Sequence, residues 1–333
     1  MKITIIGAGS FGTAMAVVTG RCGHDVLMWA HNPDVAENAT RTGQNAAYLP
    51  NVELGPRVRV TGDLDEAAAH SDTVFMVVPS HHYRDVLTDL TRRMNRRFRI
   101  ISGTKGIENE SLARMSQVSA EVVGEHLAAF AVLSGPTFAK EVARGDPTAA
   151  VIASSDVAYA QEIQQTLSCA TFRLYHSGDV AGVELGGSLK NVIAIAAGVV
   201  EGLGLGSNTN AALVTRGLHE MTRLGLTAGG KLETFAGLAG MGDLVLTCTG
   251  ALSRNRTVGV DLGRGKKLGE ILDETRFVAE GVKTSRAAFE LSARYQIDMP
   301  ITNEMYRVLY ENEPPRAAIQ RLMSRALKAE SER

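Results

Sequence analysis

Cysteine is scarce in this chain, which carries only Cys22, Cys169 and Cys248. Their odd number, wide separation and lack of metal-type spacing argue against a disulfide framework and for a reducing compartment. Charge imbalance is missing as well. A formal net charge of -1 leaves no global field to recruit nucleic acid or a membrane surface. Long hydrophobic runs are also lacking. The most apolar stretch, "NVIAIAAGVV" from Asn191, is ended by Glu201 after too few residues to cross a bilayer. A fixed-period repeat and a low-complexity tract are both absent. His81 and His82 have no partner at metal-ligand spacing, so no metal is expected. These absences predict a cytoplasmic protein without nucleic-acid binding or membrane insertion.

Hydrophobic content of 44 % and charged content of 21 % describe a soluble globular protein, and 333 residues suit two domains. The first half alternates short β-branched runs with helical patterns. Strands are predicted at Ile3–Ile6, Val26–Trp29, Val58–Val60, Thr73–Val78, Arg99–Ser102, Ala131–Leu133, Ala149–Ile152 and Phe172–Leu174. Segments of 3.6-residue periodicity such as Tyr83–Met94 separate several of them, the pattern of a doubly wound, mostly parallel α/β sheet. From about Val183 the chain turns helical, with apolar-periodic stretches at Ala211–Leu224, Val258–Leu262 and Ser285–Leu291, and a terminal pattern at Arg316–Lys328. The predicted domains are therefore 1–185, a Rossmann-type α/β domain, and 186–333, an all-α domain.

The chain opens "KITIIGAGSFGTAMAVV". Lysine before an apolar run suits a secretory signal, but Gly7, Gly9 and Gly12 weaken that helix by about 1 kcal/mol each. Strand, tight turn and helix fit better. Gly7 permits the turn, Gly9 lets backbone approach a pyrophosphate, and Gly12 lets helix and strand pack closely. The helix start offers unpaired N–H groups to the phosphates. The second strand ends "WAHNPD", with His31 and Asn32 at its tip. That tip lacks both the carboxylate that repels a 2′-phosphate and the arginine that selects it, so NAD and NADP both remain.

Three further motifs supply chemistry. "SGTKGIE" places Lys105 in a loop at a strand's carboxyl edge, where ligands of open α/β sheets bind. "LSGPTFAKEV" puts Gly135, Pro136 and Thr137 at another strand end. In the helical half stand Lys190-Asn191, "AGMGDLVLTCTG" and "SRNR" at Ser253–Arg256. Lys190 lies in an apolar stretch. It is either a surface lysine whose stem snorkels, or a buried acid able to protonate a carbonyl being reduced, with Asp243 to orient it. "SRNR" is either an N-cap with a solvated arginine face, or an oxyanion clamp at a helix start. The arginines between Arg92 and Arg99 read as cations near a helix end, and "GLGLG" at Gly202–Gly206 reads as a loop.

Together, "IIGAGSFGTAMA", "GTKGIE", "LSGPTFAKEV", "ELGGSLKNVIAIAAG", "GLAGMGDLVLTCTG", "SRNRTVG" and "AEGVKT" resemble, in order, the motifs of the bacterial NAD(P)-dependent glycerol-3-phosphate dehydrogenases. The resemblance implies reversible reduction of dihydroxyacetone phosphate to sn-glycerol 3-phosphate, entry to glycerophospholipid synthesis, and a homodimer. It makes Lys190 the proton donor and acceptor. Lys105, Gly135, Thr137, Asp243, Ser253, Arg254 and Asn255 are implied substrate contacts, with Asn191 and Thr247 beside them. Ser10, Phe11, His31, Lys105, Ala139, Arg254, Val278 and Glu280 are implied cofactor contacts. Two positions depart from the family: Asn32 stands where an arginine is frequent, and Phe11 where tryptophan is common. Competing readings are a dehydrogenase of the same plan acting on a 3-hydroxy acid or 6-phosphogluconate, and a non-catalytic dinucleotide sensor.

Overall fold

Each predicted strand forms, several with shifted ends. They are β1 (Lys2–Ile6), β2 (Asp25–Trp29), β3 (Val58–Thr61), β4 (Thr73–Met76), β5 (Phe98–Ser102), β6 (Leu127–Ser134), β7 (Thr148–Ala153) and β8 (Phe172–Ser177) in a computed structural model that describes residues 1–274, 279–327 and 329–330. The sheet order is β3-β2-β1-β4-β5-β6-β7-β8, and every neighbouring pair is parallel except β6 with β7. β6 runs well beyond the apolar Ala131–Leu133, because its first half pairs with β5 while staying partly exposed. Strand order reverses between β1 and β4, the carboxyl-edge crevice where ligands of doubly wound sheets bind.

Both sheet faces are covered, which explains strands that read as apolar runs. Ile3, Ile5, Met28, Phe75 and Ile101 join a core with Met15 and Val18 of the helix Ser10–Arg21. Ile6, Trp29, Val74, Met76 and Ile100 join a second core with Tyr83, Leu87 and Leu90 of the helix Ser80–Met94. The chain divides into two compact units, Met1–Lys105 with Ala113–Val183, and Gly106–Leu112 with Glu184–Arg333. The short segment Gly106–Leu112 groups with the helical unit, where Ile107 enters its core.

The apolar run from Asn191 is the second half of a 23-residue helix, Val180–Gly202. That corrects the length expected from the run alone: the helix is long and apolar enough to span a membrane, yet its most apolar window is wholly buried inside the protein. Leu189, Val192, Ile193 and Ile195 pack with Met221, Phe235, Leu244 and Val258. Against the helix Arg254–Gly263 the packing is backbone on backbone. A Cβ at Gly198 would lie 2.0 Å from the Arg256 carbonyl oxygen, and one at Gly259 would lie 2.0 Å from that of Ile195. Only glycine allows this approach. Glu220, in the helix Ser207–Thr227, accepts from the backbone N–H groups of Ile301 (2.7 Å) and Thr302 (3.1 Å), so it caps the helix Pro300–Tyr310 from within the core. The terminal helix spans Pro315–Met323, shorter than its apolar pattern, and Lys328 lies outside the described residues. Cys22, Cys169 and Cys248 are all free thiols, and Cys22 Sγ donates to Leu167 O at 3.5 Å.

Candidate active site

In the first unit the chain leaves β1 through the glycine turn. Gly7 has φ +116°, and a Cβ there would meet the Val77 carbonyl oxygen at 2.6 Å; at Gly12 a Cβ would meet Gly7 O at 1.9 Å. Those two glycines are demanded by the fold. Gly9 is different: its backbone is extended, and a Cβ would meet nothing within 4 Å. It is also the N-cap of the helix Ser10–Arg21, and it contributes no side-chain cap to that helix start. The turn therefore presents a helix start beside space that a side chain would fill, the cradle a pyrophosphate requires.

At the tip of β2, the His31 ring packs edge-on against Trp29 with centroids 5.6 Å apart. The Asn32 side-chain oxygen accepts from Asp34 N at 2.9 Å and caps the helix Pro33–Thr42, a role its place in the motif did not suggest. After β5, Gly103 N donates to Met76 O at 2.8 Å and Thr104 Oγ1 to Val78 O at 2.7 Å, which holds the loop that presents Lys105. Lys105 Nζ donates to Gly135 O at 3.1 Å and to Thr137 Oγ1 at 3.4 Å, and lies 5.8 Å from the centre of the Phe11 ring. Four predicted residues from three motifs thus meet. Ala139 begins the helix Ala139–Arg144 just beyond Thr137. The rings of His81 and His82 lie tilted against each other, with centroids 4.0 Å apart, in the first turn of Ser80–Met94. Of the arginine cluster, Arg92, Arg93, Arg96 and Arg99 each pair with a carboxylate, from Asp89, Asp65, Asp72 and Glu162.

Two residues that no local pattern marks also reach the glycine turn. Ser10 Oγ donates to Tyr48 O at 2.7 Å, and Asn45 Nδ2 donates to Ala8 O at 2.8 Å. Their contacts span tens of residues of chain, so only the folded structure reveals them.

In the second unit Lys190 is 6 % exposed and Asp243 1 %, which excludes the snorkelling alternative. Lys190 Nζ forms an ion pair with Asp243 Oδ1 and donates to Thr247 Oγ1 at 2.8 Å. Thr247 Oγ1 in turn donates to Asp243 O at 2.6 Å. Asp243 and Thr247 are one turn apart on the helix Asp243–Thr249, so a single helical face grips the ammonium. Burial pushes the neighbouring Cys248 thiol up to about 12, with Lys190 pulling it down and Asp243 pushing it up. Cys248 therefore stays protonated and is no nucleophile.

A second hydrogen-bond chain runs beside this pair. Asn255 Nδ2 donates to Asn191 Oδ1 at 2.9 Å, and Gly281 N donates to Asn255 Oδ1 at 3.0 Å. A Cβ at Gly281 would lie 2.7 Å from Asn255 Oδ1, so glycine is needed for that approach. This chain ties the helix Glu280–Arg294, headed by Glu280, to Asn191 and Asn255. Ser253 is the N-cap of Arg254–Gly263 and accepts from Arg256 N at 3.2 Å. Arg256 pairs with Glu201, and Arg254 stands exposed at the first helical position. Val278 lies outside the described residues.

Residues 2–169 match the family described as NAD-dependent glycerol-3-phosphate dehydrogenase N-terminus, and residues 179–320 match its C-terminus. The chain is 52 % identical, over 99 % of its length and 98 % of the relative's, to the glycerol-3-phosphate dehydrogenase [NAD(P)+] of Geobacter sulfurreducens. This chain belongs to the NAD-dependent glycerol-3-phosphate dehydrogenase family. Among solved structures it is similar to the glycerol-3-phosphate dehydrogenase of Coxiella burnetii, with TM-score 0.93 and 40 % identity, covering 97 % of this chain and 99 % of that one. The glycerol-3-phosphate dehydrogenase of Saccharomyces cerevisiae aligns with TM-score 0.80 and 27 % identity, covering 96 % and 98 %. Membership makes the chain an oxidoreductase that uses NAD or NADP.

Proposed function

We propose that this enzyme reversibly reduces dihydroxyacetone phosphate to sn-glycerol 3-phosphate, with Lys190 as proton donor and acceptor. The observation that carries the reading is the buried Lys190 ammonium gripped by Asp243 and Thr247. A buried ion pair is weak evidence for stability, so a lysine kept charged inside an apolar helix points to chemistry. A bound reduced dinucleotide supplies the hydride. Lys190 gives its proton to the carbonyl oxygen as negative charge develops there, and Asp243 and Thr247 hold the Nζ atom in place throughout.

The exposed Arg254 guanidinium at a helix start suits the substrate phosphate, since arginine matches phosphate bidentately and helix starts attract anions. Ser253 and Asn255 flank it, and Asn191 steadies Asn255. Binding energy from this non-reacting phosphate positions the carbonyl. In the α/β part, 1–185, we assign Gly7, Gly9, Ser10, Phe11, Gly12, His31, Asn32, Lys105 and Ala139 to the cofactor, and Lys105, Gly135 and Thr137 to the substrate as well. The helical part, 186–333, contributes Lys190, Asn191, Asp243, Thr247, Ser253, Arg254 and Asn255 to the substrate, and Arg254, Val278 and Glu280 to the cofactor.

Free thiols throughout support a cytoplasmic setting, and the burial of Val180–Gly202 supports a protein that does not insert into membranes. Supply of glycerol 3-phosphate to glycerophospholipid synthesis and assembly as a homodimer follow from the family resemblance. Steady-state kinetics of two variants test the assignment. Lys190→Ala lowers kcat by about 100-fold with NADH affinity retained. Arg254→Ala chiefly raises KM for dihydroxyacetone phosphate. Unchanged turnover in Lys190→Ala would show that the acid lies elsewhere.

A further inference from the structure

The glycine turn is held on one side by packing and on the other by the Asn45 side chain, next to the bond from the Ser10 hydroxyl to Tyr48 O. On the first side Gly7 and Gly12 fit against Val77 and each other with no room for a Cβ. On the second, Asn45, 1 % exposed, donates through Nδ2 to Ala8 O at 2.8 Å and to Thr13 Oγ1 at 2.8 Å. The Ala8 carbonyl only accepts, so the amide nitrogen must face it. Asn45 Oδ1 is buried without a hydrogen-bond partner among the described residues. An apolar side chain would fill this space without that cost, so the amide is explained by its donors.

The Ala8–Gly9 peptide is planar and trans, so its C=O and N–H point in opposite directions. Holding Ala8 O toward Asn45 therefore aims the Gly9 N–H away from it. The second bond, to Thr13, locks that peptide to the first turn of Ser10–Arg21, where Thr13 N donates to Gly9 O at 2.9 Å. The loop that carries Asn45 is itself fixed: Gln44 bridges to Glu53, Leu49 N donates to Asn45 O at 2.8 Å, and Tyr48 O receives the Ser10 hydroxyl at 2.7 Å. We propose that Asn45 is a positioning residue for the cofactor pyrophosphate, orienting the Ala8–Gly9 peptide and pinning it to the helix start. The proposal rests on the reading that the pyrophosphate sits on this turn.

Three variants test it, by fluorescence titration with NADH, competition by ADP, steady-state kinetics and thermal melts. Gly9→Ala tests the underlying reading, because its Cβ meets no protein atom within 4 Å and only a ligand on the turn would collide with it. Asn45→Ala is expected to weaken NADH and ADP about tenfold each, raising KM for the cofactor about tenfold while kcat at saturation falls far less. Asn45→Asp keeps the shape, loses the donors and carries the same expectation should Asn45→Ala not fold. Loss of affinity in Gly9→Ala with full affinity in the folded Asn45 variants overturns the positioning role and leaves the turn reading intact. A lower melting temperature with unchanged NADH and ADP affinity marks a purely structural asparagine and likewise overturns it. Full affinity in Gly9→Ala as well overturns both.

Discussion

The ion pair of Lys190 with Asp243 yields a quantitative prediction that separates stability from chemistry. Both side chains are buried, at 7 % and 1 % exposure, so neither charge is compensated by water if its partner is removed. Breaking such a pair costs about 3–5 kcal/mol, whereas replacing both members by apolar residues of similar size is close to neutral. Asp243→Leu and Lys190→Met should each pay the first figure, and the double variant should recover most of it. Thr247 survives the double change, because its hydroxyl still donates to the Asp243 backbone carbonyl. With a urea m-value of about 3 kcal/mol per M, each single variant should unfold roughly 1–1.7 M earlier than wild type, and the double variant within about 0.5 M of it. Activity should follow a different order: the double variant stays inactive although its stability returns. Additive losses in the cycle, or single variants as stable as wild type, would refute a tightly coupled buried pair.

Two further predictions concern the helical unit. Burial pushes the Glu220 carboxyl up from 4.5 to about 7, against the opposing pull of Ile301 N–H, Thr302 N–H, the Thr302 hydroxyl and Arg223. The folded chain thus holds this proton more tightly than the unfolded one. The resulting stability is present in full below about pH 4.5 and is lost as pH rises to about 7. Thermal melts across that range should show the wild type losing about 3 kcal/mol that Glu220→Gln does not lose. Gly198→Ala places a methyl group 2.0 Å from the Arg256 carbonyl oxygen and should cost about 3 kcal/mol, read as a melt several degrees lower. Gly269→Ala, whose Cβ meets nothing within 4 Å, should leave the melt in place.

The α/β fold was legible because its signals are local. Apolar runs bounded by turn residues marked all eight strands, and the glycine spacing marked the first turn. Strand ends were less legible: partner strands set the length of β6, so pairing rather than hydropathy extends it to Leu127. Lys190 shows where local reading stops. Its neighbours are apolar whether the helix is buried all round or lies on a surface, and only the packed helices around it decide. The glycines at 198, 202, 259 and 263 sit at four-residue spacing on two helices, a sign of close packing that acquires meaning only once the two are known to pair. Asn45 left no trace in sequence, since its donors act on Ala8 and Thr13, more than thirty residues away.

The most direct measurement is the decay of NADH absorbance, then of NADPH, with dihydroxyacetone phosphate and with unphosphorylated dihydroxyacetone as control. Decay with the phosphate and almost none with the control is expected if, as proposed, Arg254 and its helix start hold the phosphate and so supply positioning that the bare ketone cannot use. The ratio of the two cofactor rates then reports what the His31-Asn32 tip selects. No decay with either cofactor, or equal decay with the unphosphorylated ketone, would contradict an enzyme built around a phosphate clamp and a buried lysine acid.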